Sequence, residues 1–329
     1  MPRQGATEFH DVIRGAIVYP NVQQDDFVLI KGDGFPTYHL ANVVDDHLME
    51  ILHVLRGEEW IPSTPKHVCL YAAFGRQPPA FAHLPVILAP GGGKLSKRHG
   101  AAAVAEYRAL GYLPDALVNF LALLGWAVSA DNEVVPRTDM VREFTIEKIS
   151  KTGAQFDHEK LNWMNGAYIR NMPIEELCAQ VWPWLEQAGL VHADTPRSAV
   201  YPGLRLAQER MQLLPDAVQH LACFLRDEVA YDPAAVKKFL ARPGVATHLG
   251  ALRARFAALA DDAFTPAVLE PLLQAYLDQS GEPLKHVVHP LRVAVTGKAS
   301  SPGIFDTLAC IGRRRTLARL DHTLAQLCP

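Results

Sequence analysis

Cysteine is scarce in this chain of 329 residues, with five at positions 69, 178, 223, 310 and 328. The number is odd and no two form a C-x-x-C pair. A disulfide framework and a zinc knuckle are therefore disfavoured, no protein-bound zinc is expected, and a reducing cytoplasm is the default setting. The sequence has no leader-like apolar run and no uncharged apolar stretch long enough to span a bilayer, so no membrane partner is expected. Low-complexity tracts and fixed-period repeats are missing too, which argues for a folded chain. Positive charge is not in excess, since the formal net charge is −3. That excludes a surface coated in basic residues but leaves room for a local patch that meets nucleic acid. The P-loop fails as well. Leu88 stands where its first glycine belongs, and Leu95 follows Lys94 where a hydroxyl is required.

What the chain does have is 49% hydrophobic residues, enough for two or three domains. The first ~95 residues read as mixed α/β. "DVIRGAIVY", "DDFVLIKGDG" and "TYHLANVV" look β-rich, Asp45-Asp46 is a candidate helix start, "HVLRG" a short strand, "PKHVCLYAAFG" a helix, and "AHLPVIL" a last strand. After Gly100 the periodicity becomes helical: "AAVAEYRALG", "PDALVNFLALLG", "DHEKLNWMNGAYIR", "IEELCAQVWPWLEQAG", then roughly 203–225, 233–241, 246–260, 265–279, 283–296 and 302–326. No strand is expected beyond about residue 135. The fold class is thus α/β followed by all-α.

Between the two regimes lies "PGGGKLSKRHG", Pro90 to Gly100. A glycine-rich turn with two lysines and an arginine is compatible with a solvated surface loop. It is equally suited to closing over a nucleotide's phosphates and stabilising charge on a leaving pyrophosphate, at the strand end where ligands of α/β sheets bind.

"KLSKR" at 94–98 resembles the lysine-rich signature loop of class I aminoacyl-tRNA synthetases, and three longer blocks resemble glutamyl-tRNA synthetase specifically. They are "GFPTYHLANVVDDHLMEILHVLRGEEWIPSTPKHVCLYAAFG" at 34–75, "FDHEKLNWMNGAYIR" at 156–170, and "HPLRVAVTGKASSPGIFDTLACIGRRRTLARL" near the C-terminus. The resemblance covers essentially the whole chain, in the family's order. It implies four parts: the end of an acceptor-binding insertion at 1–33, the second half of a Rossmann-like catalytic domain at 34–100, a helical stem-contact region at 101–190, and a helical anticodon-binding domain at 191–329. It implies ATP-dependent activation of glutamate and its transfer to tRNA(Glu), with Mg²⁺ arriving on ATP.

The resemblance also assigns residues. Arg56 matches the arginine that reads the substrate's side-chain carboxylate, the task for which a guanidinium is best suited. Tyr38 and Asn42 match the family's amino-acid contacts; four apart, they would share one face of a strand. Lys97 matches the ATP-contacting lysine and Lys94 its partner, both in a catalytic role, with Leu95, Ser96 and Arg98 in the same ATP-binding loop. Glu59 and Trp60 would shape the nucleotide side. "DDH" at 45–47 is read as a helix cap rather than a metal site. Lys148, Lys151, Lys160 and Arg170 fall in the stem-contact segment, and Arg313, Arg314, Arg315 and Arg319 in the last domain, as candidates for tRNA phosphates.

One family feature is absent from this sequence: the HIGH-type histidine signature. The expectations are that the chain alone forms no glutamyl-adenylate, that a separate chain could carry the missing N-terminal half, and that strands at 38–43 and 83–88 lack their usual neighbours. Two alternatives stay open: a non-discriminating enzyme that also charges tRNA(Gln), and a non-catalytic tRNA-binding module.

Overall fold

The computed structural model describes residues 1–95, 103–126 and 132–328, which fall into two compact units. The first comprises 1–109 and 113–164, the second 110–112 and 165–329. Among the described residues, no helix is long and apolar enough to cross a membrane.

In the first unit, β1 (Ala6–Asp11) and β2 (Gly15–Pro20) form an antiparallel hairpin. Helix α1 (Tyr38–Leu48) follows, then β3 (His53–Gly57), α2 (Thr64–Ala73) and β4 (Ala80–Leu84). The sheet order is β2-β1-β4-β3, with β4 parallel to both neighbours. Four expectations need correction here. "TYHLANVV" is helical, because Val43 is buried against Leu70 and Tyr71 of α2 and a helix delivers it there. Asp45 and Asp46 consequently lie inside α1, whose N-cap position is Thr37. Strand β4 has partners on both sides, so the exposed parallel edge is β3, where Leu52 and Leu55 face solvent. "DDFVLIKGDG" makes only one isolated bridge, Ile30 to Pro36.

Beyond β4 the chain is helical among the described residues. The helices are α3 (Val104–Leu110), α4 (Pro114–Leu123), α5 (Arg137–Glu143), α6 (His158–Asn171), α7 (Ile174–Gln187), α8 (Tyr201–Gln208) and α9 (Asp216–Leu225). Next come α10 (Pro233–Ala235), continued by a π-turn over Val236–Leu240, then α11 (Val245–Ala257), α12 (Pro266–Ser280) and α13 (Leu284–Thr296). Last are α14 (Ile304–Ile311) and α15 (Arg313–Gln326).

Two long expected helices are each split. Between α8 and α9 the carboxylate of Asp216, in the first turn of α9, accepts the N–H groups of Gln212 and Leu213 and so fixes the turn that separates the two helices. Between α14 and α15, Gly312 takes φ +83°, a conformation that L side chains avoid.

Arginines tie the second unit's helix ends together. Arg313 donates to Phe256 and Ala257 carbonyls at the end of α11. Arg315 donates to the carbonyls of Ile311, at the end of α14, and Phe224, near the end of α9. Arg319, only 3% exposed, donates to Val295, Arg226 and Asp227 carbonyls at 2.6, 2.7 and 3.2 Å. Last-turn carbonyls lack intrahelical partners and carry the negative end of the helix dipole, so cations belong there.

Candidate active site

The site grows from one register pair. Arg56 on β3 sits beside His83 on parallel β4, so both side chains leave the same face of the sheet. Helix α2 brings Thr64 and His67, one turn apart, to that face. Helix α1 brings Tyr38 and His39. The end of β1 brings Asp11.

The Arg56 guanidinium donates through Nε to His83 Nε2 at 3.0 Å, through Nη2 to Thr64 Oγ1 at 2.7 Å, and through Nη1 to His67 Nδ1 at 3.4 Å. It lies 5.5 Å from the Phe81 ring centroid and 6.0 Å from that of Trp60, so aromatic faces wall it. Burial lowers its pKa, while Tyr38 and Asp46 favour the cation.

Arginine has donors only, so its partners must accept. His83 Nε2 therefore carries a lone pair, and its Nδ1–H donates to Asp11 Oδ2 at 2.6 Å, with both side chains fully buried. His67 Nδ1 likewise accepts, leaving its Nε2–H for His39 Nδ1 at 2.9 Å. Burial, with Arg56 next, pushes the His67 pKa down to about 3. Burial also lowers His83, against the opposing hydrogen bond from Asp11, and lowers His39, helped by Lys66 and Arg56. The guanidinium thus faces neutral imidazoles rather than a carboxylate. A cation half-withdrawn from water and given no anionic partner in direct contact among the described residues is prepared to take one from a ligand.

The family-assigned Tyr38 and Asn42 lie on α1. Tyr38 is half exposed, its ring 5.1 Å from that of Trp60. Asn42 lies one turn along α1 and Asp46 one turn further, its pKa raised by burial. Tyr38 and Asn42 therefore share a helix face, not a strand face.

The glycine-rich loop starts at the end of this sheet. Gly91, Gly92 and Gly93 all have positive φ, and Ala89 accepts from Gly92 and donates to Gly93 O, folding the turn back. Leu95 N then bonds Ile87 O at 2.8 Å, and Leu88 also pairs with the 154–156 segment. This delivers Lys94, exposed, whose Nζ lies 2.8 Å from Glu59 Oε1. Ser96, Lys97 and Arg98 lie outside the described residues.

Lys148 and Lys151 are exposed in the first unit, Lys160 pairs with Glu133 at 2.6 Å, and Arg170 belongs to the second unit. Arg319 is buried and unavailable to RNA, which corrects its expected role.

Sequence reasoning missed Asp11, Thr64, His67 and His83. One sign was available: His83 interrupts the apolar strand "AFAHL", and a buried polar group needs a partner.

Residues 1–163 match the family model "tRNA synthetases class I (E and Q), catalytic domain", and residues 176–324 match "Anticodon binding domain". A glutamate–tRNA ligase of Dehalococcoides mccartyi is 43% identical over 99% of this chain and 67% of that protein. One from Chloroflexus aurantiacus is 44% identical over 99% of this chain and 66% of its own. The crystal structure of a glutamate tRNA ligase from Elizabethkingia meningosepticum, described as in complex with its amino acid, superposes with a TM-score of 0.89 at 33% identity, covering 99% of this chain and 67% of that one. The chain spans about two thirds of the length of these relatives. It belongs to the glutamate–tRNA ligases, a family of class I aminoacyl-tRNA synthetases.

Proposed function

We propose that the sheet unit holds glutamate and ATP, and that the helical unit holds tRNA(Glu). Arg56 pairs with the glutamate side-chain carboxylate through the guanidinium edge left between His67 and Tyr38. Tyr38 and Asn42 line the rest of the amino-acid site. Lys94 and the following Leu95, Ser96, Lys97 and Arg98 hold the triphosphate. Its magnesium arrives on the phosphates, which suits a loop that offers cations rather than carboxylates.

In the reaction, the glutamate α-carboxylate attacks the α-phosphorus of ATP and pyrophosphate leaves, carrying charge that the lysines stabilise. A terminal ribose hydroxyl of the tRNA then attacks the acyl carbon, and AMP departs. This takes place in the cytoplasm, with translation. The observation that carries the reading is Arg56, half-withdrawn from water between two neutral histidines.

The sequence holds no HIGH-type signature, so we expect this chain alone to complete no adenylation. The test is ATP–pyrophosphate exchange with glutamate and tRNA. No exchange by the purified chain is expected, and exchange appears on adding a chain that carries the signature. Full activity from this chain alone would refute the dependence. Charging purified tRNA(Glu) and tRNA(Gln) in the complemented system separates the discriminating enzyme from the non-discriminating one.

For RNA, the second unit offers Arg210 and Lys298 on a cavity of about 600 Å³ also lined by His220, Ser300 and Ser301. Neither cation has a carboxylate partner among the described residues, in contrast with Arg313 and Arg314. Lys148, Lys151 and Lys160 are the corresponding groups of the first unit, and Arg170, Arg314 and Arg315 are weaker contributors.

A further inference from the structure

We infer that Asp11 and His83 are positioning residues for amino-acid recognition: the Asp11 carboxylate selects the tautomer of His83, and that tautomer sets the guanidinium of Arg56. The inference rests on the assignment of Arg56 to the glutamate side chain but is testable without it.

Asp11 Oδ1 accepts the backbone N–H groups of Ile13 and Arg14 at 3.0 and 2.9 Å, which fixes the carboxylate in the β1–β2 turn. Its Oδ2 accepts both the backbone N–H of His83, at 3.1 Å, and Nδ1–H of the ring, at 2.6 Å. With the proton on Nδ1, the Nε2 lone pair points at Arg56 Nε, 3.0 Å away. Were the proton on Nε2, two N–H groups would oppose each other inside a closed site. One of them would lose its partner, and the guanidinium would have to move. Thr64 fits the same pattern. Its Oγ1 accepts from Arg56 Nη2, and its hydroxyl hydrogen can go to His83 Nε2 at 3.2 Å or to Trp60 O at 3.3 Å.

On this account the order of the glutamate site originates at Asp11, whose Oδ2 reaches Arg56 only through a ring. Nothing in the chain Asp11–His83–Arg56 touches the reacting atoms. The consequence is held in the direction of two N–H bonds on the guanidinium, and bidentate carboxylate pairing depends on that direction.

The experiment uses the full 329-residue chain with ¹⁵N-labelled histidine and arginine at neutral pH. Long-range ¹H–¹⁵N correlation reads which nitrogen of His83 bears the proton, and the Nε resonance reads Arg56. The wild type is expected to show the Nδ1–H tautomer. In Asp11→Asn the side-chain oxygen can still hold the turn while its NH₂ faces the ring. His83 is expected to switch to Nε2–H, the Arg56 Nε signal to move, and glutamate affinity to fall at least about tenfold with ATP affinity unchanged.

His83→Gln supplies the rescue. A glutamine carbonyl reaches the place of Nε2 and accepts from Arg56 without a tautomer to select, so Asp11→Asn added to His83→Gln is expected to cost under about threefold. A wild-type His83 protonated on Nε2 overturns the inference, even if the Asp11 variant does not fold. An Arg56 signal unmoved in Asp11→Asn, or an equal Asp11→Asn loss in both backgrounds, also overturns it. Failure of wild type to bind glutamate, with the tautomer as expected, refutes the glutamate assignment and leaves the Asp11–His83–Arg56 coupling standing.

Discussion

Arg56 and Arg319 are the same residue type in two different units, and both are lowered in pKa chiefly by burial. Their surroundings divide them. Arg319 donates to three backbone carbonyls that end or follow α9 and α13, and its charge offsets helix dipoles within the fold. Arg56 donates to two neutral imidazoles and a hydroxyl at the rim of a sheet, beside a half-exposed tyrosine. The first arginine is satisfied and closed. The second is oriented and open. Burial of a cation therefore marks a site only when the neighbours orient it without neutralising it.

The sharpest way to break this comparison is to remove both charges. Arg319→Met strands three carbonyls and is expected to cost about 3 kcal/mol or more in urea unfolding of the second unit. Arg56→Met is expected to cost under about 1 kcal/mol, because the Thr64 hydroxyl stands 3.2 Å from His83 Nε2 and can replace the lost donor. Equal costs would erase the distinction between strut and site. Function should rank the other way. Arg56→Lys is expected to weaken glutamate binding about 100-fold, as a point charge replaces a fork, and Arg319→Met to leave it unchanged where the protein folds.

Acid sharpens the same contrast. His67 is buried, with its pKa pushed down to about 3, so below its ordinary value of 6.5 the unfolded chain takes up a proton that the folded chain refuses. Stability is full above pH 6.5 and falls as pH drops from there toward 3, by up to about 1.4 kcal/mol per pH unit for this group. Unfolding followed between pH 7 and 4 should show a shallower slope for His67→Asn than for wild type. The smallest effect belongs to the exposed Lys94–Glu59 pair. Glu59→Gln should change stability by less than about 1 kcal/mol, and the change should vanish at high salt.

Much of this was legible from local pattern. Strand β3, helix α2 and the helical second half follow from periodicity and punctuation, and Arg56 and Tyr38, which the family resemblance singles out, both lie against the Trp60 ring. The helix α1 was not legible, because "TYHLANVV" has β-like composition and only packing of Val43 on α2 decides it. The polar relay was invisible for a different reason. Asp11 and His83 are 72 positions apart, and their hydrogen bond exists only once β1 and β4 are paired. The arginine run after Gly312 reads as surface charge, yet it opens helix α15, where cations are disfavoured. That misfit with the dipole was the sign that these side chains serve the ends of other helices.

The most direct measurement is calorimetric titration of the chain with glutamate and with glutamine, in wild type and Arg56→Lys. Glutamate should bind wild type at least about tenfold more tightly than glutamine and lose that advantage in the variant. Glutamate binding that is indifferent to Arg56→Lys would contradict the central claim that this guanidinium, aimed by neutral histidines, selects the acidic side chain.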